Sequence, residues 1–125
     1  MKKILVLLFS ILISFNSYGE WKLASTSDTA DTYIDFDNIK ENNGYVYYWN
    51  LIVLKEPNPR GDLSAKVLYE VDCRIPQKER GISYTYYKLP MGQGSSSGNS
   101  KNVGDWNYSI PGSMRETTFG LVCGY

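Results

Sequence analysis

The chain has no histidine and only two cysteines among its 125 residues. Without histidine the commonest general base is missing, and neither a Ser-His-Asp nor a Cys-His arrangement can be assembled. Two cysteines without histidine or a CxxC spacing make a poor metal-ligand set. An excess of charge of one sign is also lacking, since 13 basic residues balance 13 acidic ones. No basic stripe is available for nucleic acid or for an anionic membrane surface. After the N-terminal segment no apolar run is long enough to span a bilayer.

That N-terminal segment has the layout of an export signal. Lys2 and Lys3 form a basic start, Ile4 to Ile13 is apolar apart from Ser10, and Ser17-Tyr18-Gly19 offers small residues at the −3 and −1 positions. The expectation is a signal peptide over residues 1–19, cleaved ahead of Glu20. No cysteine lies near the cut, so no lipid anchor is expected. Residues 20–125 should form one domain, periplasmic or secreted. Once Lys2 and Lys3 are removed, acidic side chains outnumber basic ones by two.

Cys73 and Cys123 permit a single pairing in an oxidising compartment. Two free buried thiols are the alternative. A domain this small buries only about two-thirds of its unfolded surface, so a crosslink would help it.

Aromatic and β-branched residues dominate from Trp21 to Tyr87, broken by regular turn signals, which is the texture of antiparallel sheet. Strands are expected at Glu20–Ser25, Thr32–Phe36, Tyr45–Leu54, Leu63–Arg74 and Gly81–Leu89, with a short one over Trp106–Ile110. Asp37 should cap one helical turn, and Asn43-Gly44 should form a hairpin turn. In Tyr45–Leu54 both faces are largely apolar, as in a strand covered on both sides or one that meets a partner. In Leu63–Arg74, Val67, Tyr69 and Val71 should be buried while Ser64, Lys66, Glu70 and Asp72 stay wet. Met91–Gly104, rich in glycine and serine, reads as a long flexible loop. Ser113 and Glu116 form a capping box that predicts a helix from Met114 to about Val122. The fold class is α+β: an antiparallel sheet of five or six strands with a short C-terminal helix.

Several clusters invite chemistry. Asp35 and Asp37 could be a carboxylate pair, although turn chemistry explains them as well. Asp28, Asp31, Asp35 and Asp37 lack the glycine and terminal glutamate of a calcium loop. Tyrosine could in principle ligate haem, but no pocket is readable, and neither cofactor nor metal is expected. Arg60-Gly61-Asp62 is an integrin-type tripeptide in a loop, though a three-residue match arises easily by chance. Tyrosines are more informative: the chain has 11, beside 3 tryptophans, more than a small sheet can bury. Strand parity marks Tyr48, Tyr84, Tyr86 and Tyr87 as exposed partner-binding candidates, together with Arg60 and Asp62.

The ordered set Trp21, Tyr33-Ile34-Asp35, Asn38-Ile39-Lys40, Gly44, Val46, Trp49, Lys66, Glu70-Val71-Asp72-Cys73, Met91-Gly92-Gln93-Gly94, Trp106, Pro111-Gly112-Ser113, Glu116 and Val122-Cys123 resembles the surface-adhesin protein E family across residues 20–125. The resemblance implies an antiparallel sheet, a C-terminal helix, a disulfide, and a small envelope protein able to dimerise. It brings no catalytic motif. The family's namesake binds host matrix proteins and is lipid-anchored, a feature from which this chain departs. The expectation is a non-catalytic binding module contacting a protein or a glycan through an aromatic sheet face and the 91–104 loop. The alternative is a periplasmic structural homodimer without external ligand.

Overall fold

The computed structural model describes residues 20–124. The expected signal segment and its cleavage site at residue 19 lie outside the described residues in whole or part. Eight strands form one antiparallel sheet: β1 Trp21–Thr26, β2 Ala30–Asp35, β3 Lys40–Asn42, β4 Tyr45–Leu54, β5 Ser64–Asp72, β6 Lys78–Tyr87, β7 Ser96–Ser100 and β8 Asn107–Tyr108. Their order is β1-β2-β4-β5-β6-β7, with β3 added to β4 and β8 to β6. A C-terminal helix, α1, spans Met114–Cys123.

β2 and β3 share one edge of β4: β2 pairs with Asn50–Leu54 and β3 with Tyr45–Tyr47. Between them Phe36–Asn38 makes a single 3₁₀ turn. Asp35, not the expected Asp37, caps that turn, accepting from the Asp37 amide at 3.2 Å and from Asn38 Nδ2 at 2.7 Å. A β3–β4 hairpin closes through Asn43 and Gly44 at φ 55° and 83°, the left-handed pair that a two-residue turn demands.

Register defines the two faces of the sheet. Val46, Tyr48 and Asn50 of β4 lie opposite Val71, Tyr69 and Val67 of β5, on the side covered by α1. Phe119 and Val122 of the helix are fully buried against Ile34, Val46, Tyr48 and Val71, each worth roughly 1.5–3 kcal/mol by burial. Ser113 caps the helix by accepting from the Glu116 amide at 3.2 Å. Glu116 reaches back to the amide of Gly112 rather than Ser113, a one-residue variant of the expected box. Cys73 and Cys123 form a disulfide with Cα atoms 5.7 Å apart, fastening the last helical turn to the end of β5.

Three local expectations are corrected. The 91–104 stretch is not a structureless loop: Pro90–Gly92 turns and β7 pairs along β6 from Tyr84↔Ser100 to Tyr87↔Ser96. Edge pairing uses backbone N–H and C=O groups, so serine and glycine do not prevent it. Ser64 is buried rather than wet because the 90–92 turn folds over it; its hydroxyl donates to Leu89 O at 2.6 Å and accepts from the Gly92 amide at 2.9 Å. Asp72 is buried beneath Arg74, which grips both carboxylate oxygens at 2.9 Å.

Candidate functional site

Tyr48 is 1 % exposed, which corrects the parity assignment: it points under α1, the opposite side of β4 from the one left open. Its ring stacks on Tyr69 at 5.4 Å and its hydroxyl donates to Glu79 Oε1 at 2.8 Å. Arg115 of α1 donates to the other Glu79 oxygen at 3.3 Å. Burial raises the Tyr48 pKa well above its usual value, pushes Tyr69 to about 12, and raises Glu79 against the opposing pull of Tyr48 and Arg115. This cluster ties helix to sheet.

Tyr84, Tyr86 and Tyr87 are half-buried, not freely exposed. Tyr84 lies over Gly81, where an added Cβ would stand 2.1 Å from its hydroxyl. Arg60 sits 4.3 Å above the Tyr86 ring, and Lys66 Nζ 5.1 Å from the Tyr87 centroid. Asp62 of the Arg-Gly-Asp tripeptide is 1 % exposed, which corrects its expected display. Arg60 and Lys88 pair with its carboxylate at 3.1 and 3.3 Å, Ser97 donates to it at 2.6 Å and Asn58 Nδ2 at 3.2 Å. The Ser97 hydrogen bond leads in lowering its pKa, against the opposing effect of burial, with Asn58 and Lys88 adding to the fall. The tripeptide therefore locks its own loop onto β7.

Asp35 caps its turn, and Asp31 accepts from the Thr26 hydroxyl. No group of three or more metal-ligating side chains occurs among the described residues.

The side of the sheet away from α1 carries a different constellation. Trp49 pairs with Leu68 and Tyr47 with Glu70 across β4–β5, while Trp21 enters from the outermost strand opposite Asp35. Trp21, Tyr47, Trp49 and Leu68 floor a groove of about 550 Å³, with Asp35, Asn38, Lys40 and Lys66 around it. Beyond Lys66 the 90–92 turn packs on the same face next to Leu51, which is fully buried. Gly92 sits there at φ 67°, where a Cβ would stand 2.6 Å from Lys66 Cε. Further along the same face Trp106 stacks on Tyr45 at 6.3 Å, beneath Arg80 at 4.3 Å and Lys78 at 4.6 Å. All three tryptophans thus share the face opposite the helix.

Glu70 separates the two aromatic clusters and is neutralised in place. Arg80 pairs with it at 2.7 Å and Tyr47 donates to its second oxygen at 2.7 Å, a hydrogen bond that leads the rise in the Tyr47 pKa. Lys40 and Lys66 make no ion pair among the described residues; against the one Asp35 carboxylate, which accepts only from neutral donors, they leave the groove net positive. A smaller cavity of about 240 Å³ lies on the helix side, lined by Ser25, Thr32, Asn50 and Thr118. Asn50 Oδ1 is buried there with no hydrogen-bond partner among the described residues. A polar space of that size suits water better than an aromatic-stacking ligand.

Trp21, Trp49, Lys40 and Lys66 were not singled out from sequence as site residues. The signal was present in part: Trp49 shares parity with Tyr47 on the longest strand. The convergence of Trp21 and Lys40 depends on the β1–β2 and β3–β4 registers.

Fold and groove together define a binding scaffold: one face of the sheet sealed by a disulfide-tethered helix, the other open and aromatic. The chain belongs to the surface-adhesin protein E family, whose model matches residues 21–124. No curated protein and no solved structure matches it. Membership points to binding, and to an exported or surface location, rather than to catalysis. Among the described residues no helix is long and apolar enough to cross a membrane.

Proposed function

We propose that the chain is an exported, non-catalytic, adhesin-like module that holds its partner, a protein or a glycan, on the open sheet face. The observation that carries this reading is the gathering of all three tryptophans on that face, two of them flooring the groove. Aromatic side chains bury large areas with few rotatable bonds, which makes them effective binding anchors. Tyr87 stays in the partner surface because Lys66, at the groove, lies over its ring. Tyr84, Tyr86 and Arg60 belong to the opposite side and its loops. Tyr48 and Asp62 are spent on internal contacts and drop out. Asp35, Glu70 and Asp72, the carboxylates that could serve catalysis, are each committed to a cap or an arginine.

The test is adhesion of the full-length chain, recovered from the cell envelope, to cultured host cells. Trp49→Ala should reduce attachment at least about tenfold, the loss of one hot-spot anchor, with an unaltered melting temperature showing that the fold survives. Equal attachment by the variant would remove the groove from the function. Sedimentation of the same samples addresses the homodimer alternative: a dimer that Trp49→Ala dissociates would make the open face a self-interface.

A further inference from the structure

We propose that the groove over Trp21, Tyr47, Trp49 and Leu68 binds a carboxylate-bearing oligosaccharide, an inference that rests on the open-face reading above and names its ligand class. The floor supplies flat rings onto which the apolar faces of sugar rings can lie, with C–H groups directed at the π-clouds. Its volume, about 550 Å³, falls in the range of small-ligand pockets.

The rim distinguishes a sugar from an apolar peptide. Both donors and acceptors surround the aromatic floor. Lys40 and Lys66 present ammonium donors. Asn38 spends its Nδ2 on Asp35 at 2.7 Å, leaving its Oδ1 as an acceptor. Tyr47 spends its hydroxyl proton on Glu70, leaving its oxygen to accept. Sugar hydroxyls both donate and accept, so they satisfy such a rim. An apolar segment would bury these groups unpaired, at a cost.

Charge then selects among sugars. Glu70 is paired with Arg80. Asp35, which also lines the groove, accepts from the Asp37 amide and from Asn38. Lys40 and Lys66, on either side of the floor, make no ion pair among the described residues and outnumber the single Asp35 carboxylate, so the groove keeps a net positive charge. Lys66 is held in place by the Tyr87 ring at 5.1 Å and by the 90–92 turn against its stem, so its ammonium is partly ordered before a ligand arrives. A carboxylate provides the missing charge, and charge-assisted hydrogen bonds are the strong ones.

The experiment titrates the full-length chain with a hexasaccharide of alternating uronic acid and N-acetylhexosamine, and with the same hexasaccharide after its carboxylates are reduced to alcohols. Tryptophan emission and calorimetry report binding. The acidic sugar should bind saturably and roughly tenfold more tightly than the neutral one, the worth of one charge-assisted contact. Lys40→Gln and Lys66→Gln should erase that preference, weakening the acidic sugar by more than the neutral one. Trp21→Ala, at the sheet edge where folding is least at risk, should weaken both sugars. Absence of saturable binding up to about 1 mM, or binding indifferent to Lys66→Gln and Trp21→Ala, would overturn the proposal. Attachment to cells stripped enzymatically of surface glycans, still lost in Trp49→Ala, would overturn it in favour of a protein partner while leaving the adhesin reading intact. Acidic-sugar binding without cell attachment would do the reverse.

Discussion

Breaking the Cys73–Cys123 bond should lower stability sharply without changing the folded structure. The crosslink spans 50 residues, and closing a loop of that length removes about 4 kcal/mol of entropy from the unfolded chain. Domains of this kind have net stabilities of roughly 5–15 kcal/mol, so the bond accounts for a large share. At this size the melting temperature should fall by about 15–30 °C. The folded state should persist at room temperature because α1 is held by side chains as well as sulfur: Phe119 and Val122 are both fully buried. Intrinsic preference contributes little, since a ten-residue helix containing Gly120 and two threonines is marginal alone. The perturbation is the Cys73→Ser/Cys123→Ser double variant, compared with reduced wild type. Thermal melts by circular dichroism supply the midpoint, and the low-temperature spectrum the helix content. A midpoint within about 5 °C of the oxidised protein would refute the entropic argument. Helix loss at room temperature would refute the claim that apolar burial holds α1.

Three further outcomes follow from the same packing. Phe119→Ala should cost about 3–5 kcal/mol, read from urea melts. A soluble Arg-Gly-Asp peptide should not displace the chain from cells, since the Asp62 carboxylate is enclosed; competition by that peptide would mean the loop opens. The stability–pH curve should combine two opposing trends. Glu79 has a raised pKa, so its contribution is complete below its ordinary 4.5 and is lost as pH rises through the raised folded value. Asp62 and Asp72 have lowered pKa values, so their contribution is present above the ordinary 3.8 and is lost as pH falls through the lowered ones. Urea melts across this range should show a weakly acidic maximum, and Glu79→Gln should abolish the rise from neutral pH into it.

What was legible in sequence was whatever local chemistry decides. The Asn43-Gly44 turn, the Ser113 cap and the alternation of Val67, Tyr69 and Val71 each depend on near neighbours. Tyr48 was misplaced because β4 is aromatic on both faces, and period-two alternation cannot say which face the helix takes. Asp35 and Asp37 are equally good caps by type, and backbone geometry chose between them. Asp62 looked exposed because loop composition hides a carboxylate whose partners, Lys88 and Ser97, come from β6's end and β7. The groove was least visible, because it joins the outermost strand to the centre of the sheet and exists only once the long-range registers are set.

Along β4 the two parities have separate duties. Tyr47 and Trp49 look outward, while Val46 and Tyr48 look inward beneath the helix. Natural drift, or a laboratory library, could rewrite the outward pair to change what is recognised while the inward pair keeps the module folded. The strand behaves as a two-sided plank, with selectivity written on one surface and durability on the other.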